Sequence, residues 1–239
     1  MPRINNLPSG SSTQRNSLNH QAIEDYLKTI YMLAEEESPV STSRIAAARA
    51  VAPASATSMI QRLARLNLVN YEKHFGVTLS DSGLQIALEV IRHHRLIELY
   101  LMKALGFSWD EVHEQADILE HVISEKLEER IAAVLNHPTH DPHGDPIPAR
   151  DGSIVKRDLQ PLASLASGAT GRVARVVDDG NVRLLRQLSE AGLVPGVQFT
   201  VVRRADTGEP LTLELGGEQR RVAYDVAAVL LVEEGEKGS

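Results

Sequence analysis

The strongest constraint in this chain is the run Asn136-His-Pro-Thr-His-Asp-Pro-His-Gly-Asp-Pro-Ile-Pro148, which packs four prolines into thirteen residues. Proline fixes φ and lacks an N–H, so neither a helix interior nor a central strand can pass through such a run. Before it, apolar residues recur at helical spacing; after it, they recur at strand spacing. The chain is therefore expected to hold at least two regions of different structural class.

The helical part has its own punctuation. Ile23, Tyr26, Leu27, Ile30, Tyr31 and Leu33 predict a helix from His20 to Glu37, stopped by Ser38-Pro39. A short helix follows at Ser43–Ala50, and Pro53 suits the first turn of a third that runs to Leu66. Leu68–Leu79 reads as two short strands with a turn near Phe75-Gly76. Ser80 caps a long helix to about Leu105, and Gly106 stops it. Ser108 and Glu111 have capping-box spacing and open a further helix to Leu135. Beyond Leu162, strands are expected at Gly171–Val177, Gln198–Arg203, Leu211–Leu215 and Ala227–Val232. A short helix at Asn181–Ala191 interrupts them. Strands of this number and length suggest a small barrel.

The expected class is mainly α with small β parts: residues 1–18 as a disordered leader, 19–80 a winged helix-turn-helix, 81–140 a helical domain, 141–161 a Pro-rich linker and 162–233 the β domain. The first residues lack the apolar core of a signal peptide, and no apolar run approaches the roughly 18 residues of a membrane span. The protein is expected to be cytoplasmic, with no membrane partner. Its complete lack of cysteine excludes a disulfide framework, a thiolate zinc site and a cysteine nucleophile.

A net charge of -7 argues against a polyanion partner only until the charges are located. Residues 41–75 carry Arg44, Arg49, Arg62, Arg65 and Lys73 against the single acid Glu72. Residues 76–140 carry 5 basic and 11 acidic residues, with six of the nine histidines. One stretch suits a polyanion and the next suits cations. Helix, helix, helix and hairpin is the order of a winged helix-turn-helix. The third helix opens with Ser55, Thr57 and Ser58, small hydroxyls able to approach bases, and continues with Arg62 and Arg65. Arg44, Arg49 and the wing residue Lys73 would track phosphates.

The acidic stretch has metal-ligand spacing. His94 and Glu98 stand four apart, on one helix face. His113, Asp117, Glu120 and His121 fall within roughly a 100° arc if one helix carries all four. Imidazoles and carboxylates on one face suit divalent metal inside a bundle; the alternative is an acidic solvated face, and Glu125, Glu128 and Glu129 are read that way. His93 is read as an exposed bystander, and His137, His140 and His143 as loose ligands at most. The run His113–Asp117 misses the H-E-x-x-H pattern by its last residue, and no other catalytic signature is present.

These motifs together resemble the diphtheria toxin repressor family of metal-dependent transcriptional regulators. Glu24-Asp-Tyr-Leu-Lys-Thr-Ile-Tyr31 is similar to its first helix and Tyr71–Leu79 to its wing. His93–Glu98 and Glu120–Ser124 are similar to its metal-bearing helices, and Asp141–Pro148 to the segment that follows them. Residues 162–232 are similar to its SH3-like C-terminal domain. The resemblance implies a homodimer that binds double-stranded palindromic operator DNA when metal-loaded, with two metal sites per subunit. Asp25, Asp117, Glu120 and His121 would form the activating site. His94, Glu98 and His113 would form the ancillary one, with Asp178 or Asp179 as candidates from the C-terminal domain. Iron-sensing members place Met and Cys where this chain has Asp25 and Asp117. Hard oxygen ligands suit Mn²⁺, so Mn²⁺ is favoured over Fe²⁺. Lys28 stands where paired-ion manganese regulators carry Glu, and its charge would repel a second ion. The reading adopted is a metal-dependent regulator of metal-homeostasis genes and not an enzyme. A metal-independent winged-helix repressor sensing another ligand, and a metallohydrolase, are the alternatives.

Overall fold

The computed structural model describes residues 11–177, 180–204 and 208–235; the expected leader over 1–10 and the candidates Asp178 and Asp179 lie outside them. The chain divides into two compact units, residues 1–91 and 92–239.

The first unit is helical with a small hairpin. Helix α1 (Ser11–Ala34) starts earlier than the expected His20, so the described part of the expected leader, from Ser11, is helical. Helix α2 (Thr42–Ala48) is capped by Ser41, whose side chain accepts the Arg44 N–H. Helix α3 (Pro53–Arg65) has Pro53 in its first turn, where a missing N–H is harmless. Strands β1 (Val69–Glu72) and β2 (Gly76–Leu79) form the wing, and Val40 adds an antiparallel bridge to Val77. Gly76 is required at that junction, since a Cβ would meet the Val40 carbonyl at 2.8 Å. Tyr26, Leu27 and Ile30 of α1 pack with Ile45 of α2, Ile60 and Leu63 of α3, and Val69 and Val77 of the wing. Full burial of side chains such as Ile60 and Leu63 contributes about 2 kcal/mol each.

Helix α4 (Asp81–Leu105) follows, with the Ser80 hydroxyl accepting the Gly83 N–H. The division between the units falls inside it. In the second unit every α4 side chain from His93 to Leu99 is buried. The single helix expected over 108–135 is two helices, α5 (Val112–Leu119) and α6 (Glu125–Val134). The cause is Ser124, which adopts an extended conformation and caps α6 by accepting the Leu127 N–H. A serine there competes for backbone bonds and favours a fresh start. Ser108 and Glu111 do pair, but regular helix begins only at Val112.

The Pro-rich segment is not helical, yet it is no tether: Asp141, His143, Asp145 and Ile147 are buried. Gly144 (φ +88) lies so close to the backbone of strand β4 (Thr170–Val176) that a Cβ would sit 1.9 Å from the Ala174 carbonyl oxygen. The other strands are β3 (Gln160–Pro161), β5 (Gln198–Arg203), β6 (Leu211–Leu215), β7 (Glu218–Val222) and β8 (Leu230–Glu234). They form one antiparallel sheet of order β3-β8-β4-β5-β6-β7, open at β3 and β7 and not a closed barrel. Helix α7 (Val182–Ala191) is capped by Asn181. Residues 224–228, partly expected as strand, form helix α8 (Tyr224–Ala228). Strand β7 was not expected because four of its five residues are polar and exposed, as suits a charged edge.

Candidate metal centre and nucleic-acid interface

The candidate metal centre grows from two successive turns of α4. His94 and Glu98 share a face, with His94 Nε2 3.0 Å from Glu98 Oε1. From α5, His113 brings Nδ1 to 3.1 Å from the same oxygen, and its ring meets the His94 ring edge-on at 4.8 Å. Asp117, one turn further along α5, places Oδ1 3.3 Å from His94 Nδ1. Glu120, just past the end of α5, hydrogen-bonds the same nitrogen through Oε2, and His121 Nε2 lies 3.4 Å from Glu120 Oε1. His94 thus touches members of both expected ligand sets: Glu98 and His113 of one, Asp117 and Glu120 of the other. Within this unit they form one connected cluster.

Two further ligand-type residues arrive from the Pro-rich segment. His143 is fully buried and its Nδ1 lies 3.6 Å from Glu98 Oε2. Its other nitrogen bonds the Trp109 carbonyl at 2.7 Å, and its ring stacks on the Trp109 indole. Asp141 turns one oxygen to the backbone N–H groups of His143 and Asp145. Glu98 Oε2, His143 Nδ1 and Asp141 Oδ2 are buried without a hydrogen-bond partner. Glu98, Asp141 and His143 offer ligand atoms within 4.8 Å of one another, as do His94, His113 and Asp117. Buried polar atoms normally find close partners. Here Glu98 Oε2 and His143 Nδ1 have only each other at 3.6 Å, and Asp141 Oδ2 has only Arg95 Nε at 3.6 Å. These contacts are too long for hydrogen bonds, so the three atoms fit a divalent cation.

The electrostatics divide: Glu98 is poised for a cation, whereas Asp141 and His143 hold protons that a metal would have to displace. Burial alone would raise the Glu98 carboxyl, but His94, His113 and His143 overcome it and hold Glu98 well below the usual range. Asp141 goes the other way: burial, with Glu98 and Asp145 nearby, raises it well above its usual value against the pull of Arg95 and His143. For His143, burial disfavours the charged form, yet Glu98, Asp141 and the Trp109 carbonyl raise it to about 9. At neutral pH a proton occupies the nitrogen that a metal would need.

Three sequence expectations are corrected here. His93 is buried, with Nδ1 3.2 Å from the Glu120 carbonyl oxygen, because α4 is covered on more than one face. Glu128 is not a solvated charge but is buried on Arg92 at 2.6 Å. His143 is not a loose ligand. Its signal was the density of Asp, His and Gly in Asp141–Asp145, where glycine lets the backbone approach the sheet. Asp25, the ligand expected from α1, has Oδ2 2.7 Å from Arg49.

In the first unit, α3 buries Ala56, Ile60 and Leu63 and leaves the opposite face outward. Ser55, Ser58, Arg62 and Arg65 line one shallow surface recess with Ala54 and Met59. The Thr57 hydroxyl donates to the Pro53 carbonyl at 2.9 Å, so it is engaged by its own helix. Lys73 is exposed in the wing turn beside Phe75, which is 72% exposed. Arg44 is held by Glu36 and Glu37, and Arg49 by Asp25.

Residues 20–77 match the family described as iron dependent repressor, N-terminal DNA binding domain. Residues 80–149 match iron dependent repressor, metal binding and dimerisation domain. The iron-dependent repressor IdeR of Mycobacterium tuberculosis (strain ATCC 25618 / H37Rv) is 31% identical over 222 residues, covering 88% of this chain and 96% of the relative. The chain belongs to the iron-dependent, or diphtheria toxin, repressor family. It is a metal-dependent transcriptional regulator, and a family of repressors rather than enzymes decides against the metallohydrolase alternative. Residues 160–234 match the FeoA domain, so the open sheet is this family's SH3-like module. A manganese-dependent transcriptional repressor in complex with manganese superposes with TM-score 0.81 at 35% identity, covering 89% of this chain and 99% of that one. ScaR with bound Zn²⁺ superposes with TM-score 0.72 at 33% identity, covering 88% and 98%. Among the described residues, no helix is long and apolar enough to cross a membrane.

Proposed function

We propose that this family member is a homodimeric, Mn²⁺-activated repressor that binds palindromic operator DNA when metal-loaded and controls metal-homeostasis genes. One observation carries the reading: the converging orphan atoms of Glu98, Asp141 and His143 beside His94, His113 and Asp117, a donor set of oxygen and nitrogen alone. Carboxylate oxygens suit Mn²⁺, and the set offers no sulfur to favour softer ions; raw affinity still rises from Mn²⁺ to Zn²⁺, so geometry and metal availability set selectivity. Asp25, Asp117, Glu120 and His121 are assigned to an activating set, and His94, Glu98 and His113, extended by Asp141 and His143, to a second. Fe²⁺ is the second reading, favoured by the likeness to relatives named iron-dependent.

The metal, when bound, supplies positive charge that offsets the clustered carboxylates. The chain's own groups do the rest. Glu98 is held ionised and ready to accept a cation, His94 bridges the two sets, and His143 gives up its Nδ1 proton as metal binds. Metal must bind the DNA-competent state better than the other state, which is a population shift. Ser55, Ser58, Arg62 and Arg65 are assigned to the major groove and Lys73 to phosphate. Ile118, Val122 and Leu127, at 61%, 74% and 53% exposure, are assigned to the dimer contact. Their region matches the family's dimerisation domain.

The test is fluorescence anisotropy on genomic fragments, in chelator and then with Mn²⁺, anaerobic Fe²⁺ or Mg²⁺. A sharp gain with Mn²⁺ but not Mg²⁺ is expected. Equal binding in chelator would overturn metal activation, and a stronger response to Fe²⁺ would replace manganese with iron.

A further inference from the structure

Within the N-terminal unit, a fixed cation sits on a carboxylate that the proposed function needs. Arg49 is the residue that closes α2, and its Nη2 lies 2.7 Å from Asp25 Oδ2 on α1. Its guanidinium carbon stands 5.6 Å from the centre of the Tyr26 ring. The two side chains keep only 32% and 21% of their exposure, and Arg49 Nε is buried without a hydrogen-bond partner. A solvated surface arginine has no reason to forgo water at Nε. This one is drawn inward by the Asp25 carboxylate and the aromatic face together, which are the two kinds of partner a guanidinium prefers.

We infer that Arg49 is an internal competitor for the metal at Asp25 and sets the metal concentration at which the regulator responds. The inference rests on the reading of Asp25 as a metal ligand. A divalent ion and a guanidinium both seek the same carboxylate, and two cations within about 4 Å of one another repel strongly in a partly buried setting. Metal must therefore displace Arg49 from Oδ2 or bind with its charge close by, and either route weakens binding. Unlike histidine, arginine cannot yield by losing a proton near neutral pH, so the competition persists across the physiological range. The Tyr26 ring offers the displaced guanidinium a second partner, so the exchange needs no unfolding. Arg49 is thus a positioning residue: it acts on the metal only through Asp25.

The experiment is a Mn²⁺ titration of the full chain, followed by the paramagnetic resonance signal of free Mn²⁺, for wild type, Arg49→Leu, Arg49→Lys, Asp25→Ala and the Arg49→Leu/Asp25→Ala double variant. Arg49→Leu is expected to tighten one class of sites about tenfold, roughly the weight of one partly buried charge interaction. Arg49→Lys keeps the charge and should stay near wild type. Asp25→Ala should remove that class, and Arg49→Leu should then have no further effect. If Asp25→Ala removes the class but Arg49→Leu leaves it unchanged or weaker, Asp25 stands as a ligand and the competitor role is overturned. Tightening of equal size without Asp25 also overturns it. If Asp25→Ala leaves Mn²⁺ binding intact, the ligand reading fails and the inference falls with it. Arg49→Gln, which keeps a hydrogen bond without charge, carries the same expectation should Arg49→Leu not fold.

Discussion

His143 Nδ1 lies 3.6 Å from Glu98 Oε2, and neither side chain has any exposure to solvent. An imidazole from a proline-rich segment and a carboxylate from α4 are thus held face to face in the protein interior. His143 is raised to about 9 from an ordinary 6.5. In metal-free protein, a group whose pKa rises on folding stabilises the fold fully below pH 6.5, and loses that contribution as pH climbs through 9. Melting in chelator should therefore shift downward across that window, and His143→Ala should flatten the dependence. Mn²⁺ affinity should run the opposite way, rising with pH as the competing proton leaves. Calorimetry in two buffers of different ionisation enthalpy would register the released proton.

The contact between Gly144 and Ala174 should tolerate no side chain. Its φ of +88 and the 1.9 Å approach of a Cβ to the Ala174 carbonyl oxygen both oppose substitution. Gly144→Ala is expected to cost ~3 kcal/mol in chemical denaturation. It should also weaken Mn²⁺ binding, because the same segment carries Asp141 and His143.

Val122 is 74% exposed although it is apolar and β-branched. If it sits in the dimer contact, Val122→Lys buries a charge without a partner and should yield monomers in analytical ultracentrifugation. Operator affinity would fall with it, since half-sites are read by paired recognition helices. A variant that stays dimeric would remove Val122 from that contact.

Lys73 and Arg44 separate two kinds of basic residue. Lys73 is exposed in the wing, whereas Arg44 is held by Glu36 and Glu37. Lys73→Ala should reduce the slope of log K against log salt by about 1.8, the share of two neutralised phosphates, one per subunit of the dimer. Arg44→Ala should change it less, because releasing Arg44 from two carboxylates offsets what binding a phosphate gains. Equal slopes for both variants would show that the internal pairs do not survive on DNA.

The helix-turn-helix was legible because its signals are local. Ile23, Tyr26, Leu27 and Ile30 repeat at helical spacing, Ser38-Pro39 stops that helix, and Pro53 opens α3, so each decision depends on residues within a few positions. The break before α6 was legible in principle, since Ser124 is a cap residue, but a capping serine and a mid-helix serine look alike until the chain turns. Strand β7 hid its type because edge strands carry charge where buried strands carry apolar residues.

By itself the sequence determined most of the element types, the pairing of His94 with Glu98 on one face, and the thiolate-free chemistry of any metal site. These follow from periodicity and composition. The tertiary structure alone decided that His94 joins the two expected ligand sets, that Asp141 and His143 converge on Glu98, and that Arg49 lies on Asp25. Each of these joins residues far apart along the chain. Such contacts arise only when burial forces polar groups to find partners wherever packing brings them.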